Sequence, residues 1–280
     1  MSSILTNNSA MVALQTLKGI NSNLAKTQDE ISTGKKVANA QDNAAVWSIS
    51  KVMESDESAF KTIQSNLNMA NSIVAAGRSG AEQVQVILDK MHKLAISASS
   101  DGFDYSTIDA QIATMKEEIT SYIDASQING VNLLKTNPVP GQTSFSVLSS
   151  IDRTSGTVAT VNTSITVDSV NFETSIEAVT IAPITDRTTA LAARTQIEGL
   201  IDVAKKGAAE LGTAGERITS QATFVSKLAD SLKMGSSSLV DADMEEASAR
   251  LQALQTQQQL GVQALSIANQ APQTILSLFR

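Results

Sequence analysis

The chain has 280 residues, a net charge of −7 and a hydrophobic fraction of 42%, with no cysteine, one histidine and few aromatics. These counts exclude disulfide frameworks, thiol nucleophiles, cysteine-ligated metals and any site that needs two histidines. The acidic balance offers no basic face for nucleic acid, and no run approaches the ~18–20 apolar residues of a membrane span.

The first lysine is Lys18, and polar Thr6, Asn7, Asn8 and Ser9 interrupt any early apolar run, so no cleaved signal peptide is expected. A 4-3 spacing then runs through Ala10, Leu14, Leu17, Asn21, Leu24, Gln28 and Ile31. It predicts a helix whose apolar seam is broken by Asn and Gln, residues that specify register at a cost in stability. Gly34-Lys35-Lys36 fails as a phosphate loop, because Asp29 stands where the first glycine belongs and Lys36 where Ser or Thr belongs. Trp47 reads either as a partner anchor or as packing where the next helix begins.

From Ile49 to Ala98 the same spacing gives thirteen apolar positions of fifteen, Asp56 and Gly77 excepted, and no proline lies between residues 1 and 137. This predicts a long coiled-coil-type rod; fifty helical residues span roughly 75 Å. His92 falls within it, flanked by Lys90 and Lys93, and reads as part of a solvated face. Ser99 to Ser106 breaks the pattern, and Ile108, Ile112, Met115, Ile119 and Tyr122 predict a second, antiparallel helix that stops before the turn dipeptide Asn129-Gly130.

Residues 136–184 change character. Pro138, Pro140 and Pro183 border them, and Phe145/Val147 and Val161, Ile165 and Val167 alternate with polar residues, predicting a small hairpin with one wet face. A third helical segment steps from Ile197 to Leu232; its expected start is near Thr185-Asp186 and its expected stop near Gly235-Ser236. The acidic cluster Asp241, Asp243, Glu245 and Glu246 lacks the glycine of a calcium loop and reads as helix capping. The last segment steps through Val240, Met244, Ala247, Leu251, Leu254, Gln258, Gly261, Leu265 and Ala268, and between Gln252 and Arg280 only Arg280 is charged. A helix alone in water wants a charged outer face, so both ends are expected to be packed on several sides by other chains, or to be disordered when alone. Asn7-Asn8-Ser9 and Asn162-Thr163-Ser164 fit the N-glycosylation pattern, as two sites in so polar a chain do by chance.

The fold class expected is mainly α: long antiparallel coiled-coil helical rods, paired N- and C-terminal helices and a small β-hairpin appendage. The domains expected are residues 1–40 with 240–280, 41–135 with 186–239, and the hairpin 136–185. The packing residues expected at the paired ends are Leu14, Leu17, Asn21, Leu24, Gln28 and Ile31 against Leu251, Leu254, Gln258, Leu265 and Ala268. No catalytic constellation, metal set or cofactor motif appears.

Both ends resemble bacterial flagellin. The opening SILTNNSAMVALQTLKGINSNL is similar to the family's, and in EISTGKKVANAQDNAA the residues Ile31, Ser32, Gly34, Asp42, Ala44 and Ala45 fall on its signature. QINGVNLL, residues 127–134, resembles a further family segment, and Ala268, Asn269, Gln270, Pro272, Gln273, Leu276 and Leu278 match its terminus. Glu30, Thr33 and Val46-Trp47 depart from the pattern; with the short middle they resemble the short alphaproteobacterial members. The resemblance implies a subunit that polymerises head to tail into the flagellar filament for swimming. It implies export, unfolded, through the flagellar type III apparatus to an extracellular location. Its implied partners are copies of itself, an export chaperone, hook–filament junction proteins and a filament cap. A hook–filament junction protein and a non-flagellar coiled-coil adaptor are the alternatives. The family's immune-receptor surface falls on residues 88–95 with Glu118. Leu94 and Glu118 fit, but Lys90 and His92 replace arginines and Lys93 an acid, so receptor binding is expected to be weak or absent.

Overall fold

The computed structural model describes residues 7–100, 102–151 and 164–278, with side chains described as far as residue 270. The elements are α1 (Asn8–Thr33), α2 (Ala44–Ala98), α3 (Tyr105–Ala125), β1 (Ser144–Leu148), β2 (Ser164–Asp168), a short π-helical turn (Glu173–Glu177), α4 (Arg187–Val240) and α5 (Met244–Leu278). The chain is thus mainly helical with one small antiparallel sheet. It divides into two compact units, residues 1–56 with 231–280, and residues 57–230. The division falls inside α2 and α4 rather than at the loops near residues 40 and 240.

Unit 57–230 is built on the seam read from the sequence. Every 4-3 position from Phe60 to Ala98 is buried, as are Ile197, Ile201, Ala204, Leu211, Ile218, Val225 and Ala229 on α4. Gly77, an apparent flaw in that seam, is a point of close approach. A Cβ there would lie 3.3 Å from Leu133 Cβ and 3.4 Å from Leu211 Cδ1. On α3 the buried line runs Ile108, Ile112, Ile119, Ile123, so the last expected position, Tyr122, is replaced by Ile123. Tyr122 stays on the surface, where its phenol is hydrated, and the neighbouring isoleucine has no polar atom to satisfy.

Asn129 and Gly130 both take positive φ, 53° and 77°, and the turn is closed by reciprocal bonds between Ile128 and Val131. That backbone suits Asn-Gly. Beyond it, buried Asn132 donates to Ile123 O at 2.7 Å and accepts from Leu134 N at 3.0 Å. Asn132 thereby fixes the fully buried Leu133 and Leu134. Gly80 lies so near Ser126 and Leu134 that no Cβ fits. The strands pair with Phe145 opposite Val167 and Val147 opposite Ile165. This places the apolar residues on one face, as the alternation predicted; Val161 lies outside the described residues. The π-helical turn was not legible in the sequence.

α4 begins where expected, with Asp186 capping: its carboxylate accepts from Thr188 N (2.7 Å) and Thr189 N (2.8 Å). It does not stop at Gly235-Ser236. The helix continues to Val240: Gly235 keeps a helical backbone beside Met53, whose Sδ would lie at an ordinary contact distance of 3.6 Å from a Cβ there, and Ser236 is buried.

Two predictions follow from this packing and capping. Gly207→Ala would place a Cβ 2.4 Å from Val170 Cγ1 and 2.6 Å from the ring of buried Phe172. It should cost about 1–3 kcal/mol, whereas Gly212→Ala, with open space around it, should gain up to about 1 kcal/mol; urea unfolding midpoints of the two variants should move in opposite directions. The second concerns acid. The carboxyl of Asp104 is held below its usual range chiefly by the Thr107 hydroxyl, and that of Asp186 chiefly by the Thr189 backbone N–H. A depressed carboxyl stabilises the fold above its unfolded pKa and loses that effect as pH falls through its folded value. Amide protection in the first turn of α4 should therefore weaken below about pH 4, and Asp186→Asn, which keeps the cap without the titration, should flatten that dependence in hydrogen exchange.

Candidate functional site

Unit 1–56 with 231–280 brings the chain ends together. α1 and α5 pair antiparallel: the Asn7 side-chain amide donates to Ala268 O at 2.7 Å, and the Gln258 amide donates to Asn21 Oδ1 at 2.8 Å. Leu17 and Ile20 close on Gly261, where a Cβ would meet Leu17 Cδ1 at 3.1 Å. Asn7 also caps α1, accepting from Ala10 N.

On α5 the more buried positions are Ala247, Leu251, Leu254, Gln258, Gly261, Leu265 and Ala268, the same spacing as the sequence seam. On α1 they are Ala10, Ala13, Leu17, Ile20, Leu24, Thr27 and Ile31. The two α1 lines share Ala10, Leu17, Leu24 and Ile31 but differ at alternate places: Ala13, Ile20 and Thr27 turn inward, and Leu14, Asn21 and Gln28 are exposed. One line steps 4-3 and the other 3-4 from the same start, so periodicity could not choose between them. The small residues Ala13 and Thr27 permit the closer approach. Asn21 still reaches α5, from the shoulder of the pair, through Gln258.

The signature residues after α1 form a compact connection. Gly34 ends α1 in the left-handed conformation (φ 68°), and its carbonyl accepts from Ala242 N at 3.0 Å, while Lys36 N donates to Val240 O at 2.7 Å. The Asp42 carboxylate accepts from the N–H groups of Ala38 (3.0 Å) and Asn39 (3.1 Å). Asn43 caps α2 by accepting from Val46 N, which leaves Ala44 and Ala45 as the first, exposed helical residues. Ser32 is exposed near the end of α1, and Asn269 and Gln270 are exposed on α5. Pro272 is within α5 as well. Trp47 is half-buried at the start of α2, and its carbonyl accepts from Ser50 Oγ.

The acidic cluster caps, as read from the sequence: Asp243 accepts from Glu245 N and Glu246 N at the start of α5, and Glu246 pairs with Arg250 at 2.6 Å. Among the described residues no group of three or more potential ligands could hold a metal ion. His92 is half-buried rather than fully solvated, with Nε2 at 3.0 Å from Glu198 Oε1 on α4. Lys90 and Glu118 are exposed and Leu94 is half-buried.

What distinguishes this unit is its surface. Met11, Val12, Leu14, Ile49, Val52, Met234, Leu239, Met244, Leu260, Val262 and Ile267 are all more than one-third exposed. No described helix is long and apolar enough to cross a membrane. Such a surface, carried on paired terminal helices with charge-free stretches at 7–17 and 252–270, defines a helical assembly subunit. Residues 4–138 match the bacterial flagellin N-terminal helical region and residues 195–279 the bacterial flagellin C-terminal helical region. The chain is 38% identical over its full length to the flagellin of Brucella melitensis, covering all of that protein. It is 36% identical to flagellin FljK of Caulobacter vibrioides, covering 100% of this chain and 99% of the relative. The crystal structure of Bacillus cereus flagellin is similar over 57% of this chain and 88% of that one, at 20% identity and a TM-score of 0.49. The chain belongs to the bacterial flagellin family. It is therefore a structural subunit of the flagellar filament and not an enzyme; neither alternative read from the sequence is favoured by these relatives.

Gly34 allows a direct test of the connection. An alanine in the left-handed region costs about 1–2 kcal/mol, and asparagine less. Gly34→Ala should lower the urea midpoint, and Gly34→Asn should restore part of the loss.

Proposed function

We propose that this flagellin polymerises head to tail through its paired terminal helices, and that α1 and α5 line the inner wall of the filament while unit 57–230 forms the wall outside it. The observation that carries this reading is the exposed apolar surface of α1 and α5, together with their charge-free stretches 7–17 and 252–270. Burying an exposed Leu or Ile from that surface contributes about 1.5–3 kcal/mol each, and contacts between unlike patches of successive subunits generate an open helical polymer. In this reading Leu17, Leu24, Ile31, Leu251, Leu254, Leu265 and Ala268 hold the pair within a subunit. Leu14 and Gln28 face neighbouring subunits, and the Asn21–Gln258 bond sets the register of the pair. The signature residues Ser32, Gly34, Asp42, Ala44 and Ala45 set the connection between α1 and α2, and Asn269, Gln270 and Pro272 extend the α5 surface.

The same reading has the chain leave the cell unfolded through the flagellar type III apparatus, escorted by an export chaperone, and join a filament bounded by hook–filament junction proteins and a cap. A chain without cysteine has no disulfide to hinder such passage. Recognition by the animal innate immune receptor is weak or absent, because Lys90 offers a point charge where a bidentate guanidinium would be needed. A binding assay beside a strongly recognised flagellin tests this, and equal affinity would overturn it.

Electron microscopy of negatively stained protein in precipitating salt tests the polymer reading. The full chain should form filaments, and a variant lacking residues 1–35 and 245–280 should not. Filaments from the truncated variant would remove the terminal pair from the mechanism.

A further inference from the structure

All the sulfur in this chain is methionine sulfur: it has eight methionines and no cysteine. The fold sorts them by exposure. Met91 lies on the α2 seam with no open surface, and Met53 and Met115 are half-buried. Among the described residues four are open to solvent: Met11 at 59%, Met69 at 53%, Met234 at 66% and Met244 at 43%. Three of these, Met11, Met234 and Met244, belong to unit 1–56 with 231–280. There they stand on the apolar surface that the polymer reading buries. Methionine differs from the leucines and valines of that surface in one chemical respect: its thioether is readily oxidised to a polar sulfoxide. With no thiol in the chain to compete, an oxidant meets these exposed thioethers first.

Resting on the polymer reading above, we propose that Met11, Met234 and Met244 are oxidative modification sites, taking hydrogen peroxide as oxidant, that decide whether a free subunit can polymerise. The thioether sulfur attacks one peroxide oxygen, the O–O bond breaks, and the other oxygen leaves as water with both protons. Sulfur loses two electrons and peroxide gains them. The product carries a hydrogen-bond acceptor where the surface was apolar. Around Met11, residues 7–17 offer no charged donor, so a sulfoxide there gives up water without a strong partner when another copy covers it. The fold of the subunit is spared, because the methionine of the α2 seam, Met91, is closed to solvent. Reduction by a thiol-dependent sulfoxide reductase regenerates the thioether, so the block is reversible.

The test begins with free subunits treated with hydrogen peroxide, digested and mapped by mass. An added oxygen should appear at Met11, Met69, Met234 and Met244 well before Met91. In precipitating salt the oxidised chain should elongate more slowly than the untreated chain by a factor of about ten or more, with unchanged helical circular dichroism. Methionine sulfoxide reductase with dithiothreitol should restore the rate. A variant carrying Met11→Leu, Met234→Leu and Met244→Leu has no sulfur at these places and should keep its rate after peroxide, whereas Met69→Leu should stay sensitive. Equal sensitivity of the triple variant and the unsubstituted chain overturns the inference, as does an oxidised chain that elongates at the untreated rate. Where the triple variant polymerises poorly before oxidation, Met11→Gln, Met234→Gln and Met244→Gln, made singly, imitate the polarity of the sulfoxide. At least one of them should slow elongation severalfold, and three unchanged rates overturn the inference. Failure of the untreated chain to form filaments overturns the polymer reading and this inference together.

Discussion

Two helices laid side by side can cover one stripe of each and no more. In α1 and α5 the covered stripes are lined by Leu17, Ile20, Leu24, Leu251, Leu254 and Leu265, yet the uncovered faces still carry Met11, Val12, Leu260 and Ile267. A helix that stays alone in water carries charge on its outer face; residues 7–17 and 252–270 of these helices carry none. The terminal pair thus presents a defined surface without finishing its own burial. In the reading proposed above, polymerisation supplies the missing cover, and the hydrophobic gain is available to copies that stack.

Unit 57–230 meets the same constraint differently. Its α2 and α4 have continuous seams, but they are closed from one side by α3, the segment from Asn132 to Leu134 and the turn after β2. Glycines set how near these layers come. Gly77 and Gly80 admit Leu133 and Leu134, and Gly207 admits Phe172. Asn132 holds the inserted leucines in place by donating to the Ile123 carbonyl in the last turn of α3 and accepting from Leu134 N. This unit buries the leucines, isoleucines and valines of its seams within one chain, and its surface carries ion pairs such as Lys61–Glu57 and Lys135–Asp124.

Periodicity made most of the architecture legible. A 4-3 pattern sustained over seven heptads has few competing explanations, and Asn129-Gly130 and Asp186 carried their turn and cap chemistry openly. Where two patterns fitted equally, the sequence was ambiguous for a physical reason. Leu14 and Ala13 are adjacent, both apolar, and each continues a valid heptad line from Ala10. The choice between them depends on how closely α5 approaches, which is a property of the pair. Gly235 misled for the opposite reason: in isolation glycine reads as a stop, and only the packing of this turn, with Met53 beside it and Ser236 buried, shows that the helix runs on. Tyr122 yielded to Ile123 through a difference in polarity that spacing alone does not weigh.

The sequence by itself determined the helical class, the α5 seam, the hairpin and the family, because each is written in local spacing or in motifs of a few adjacent residues. It also determined that residues 7–17 and 252–270 lack charge. The tertiary structure decided which of two adjacent apolar lines faces inward and where the compact units divide. Those outcomes depend on distances between residues more than two hundred positions apart, such as Asn21 and Gln258. The depth of a groove is set by both of its walls, and no single stretch of sequence contains both.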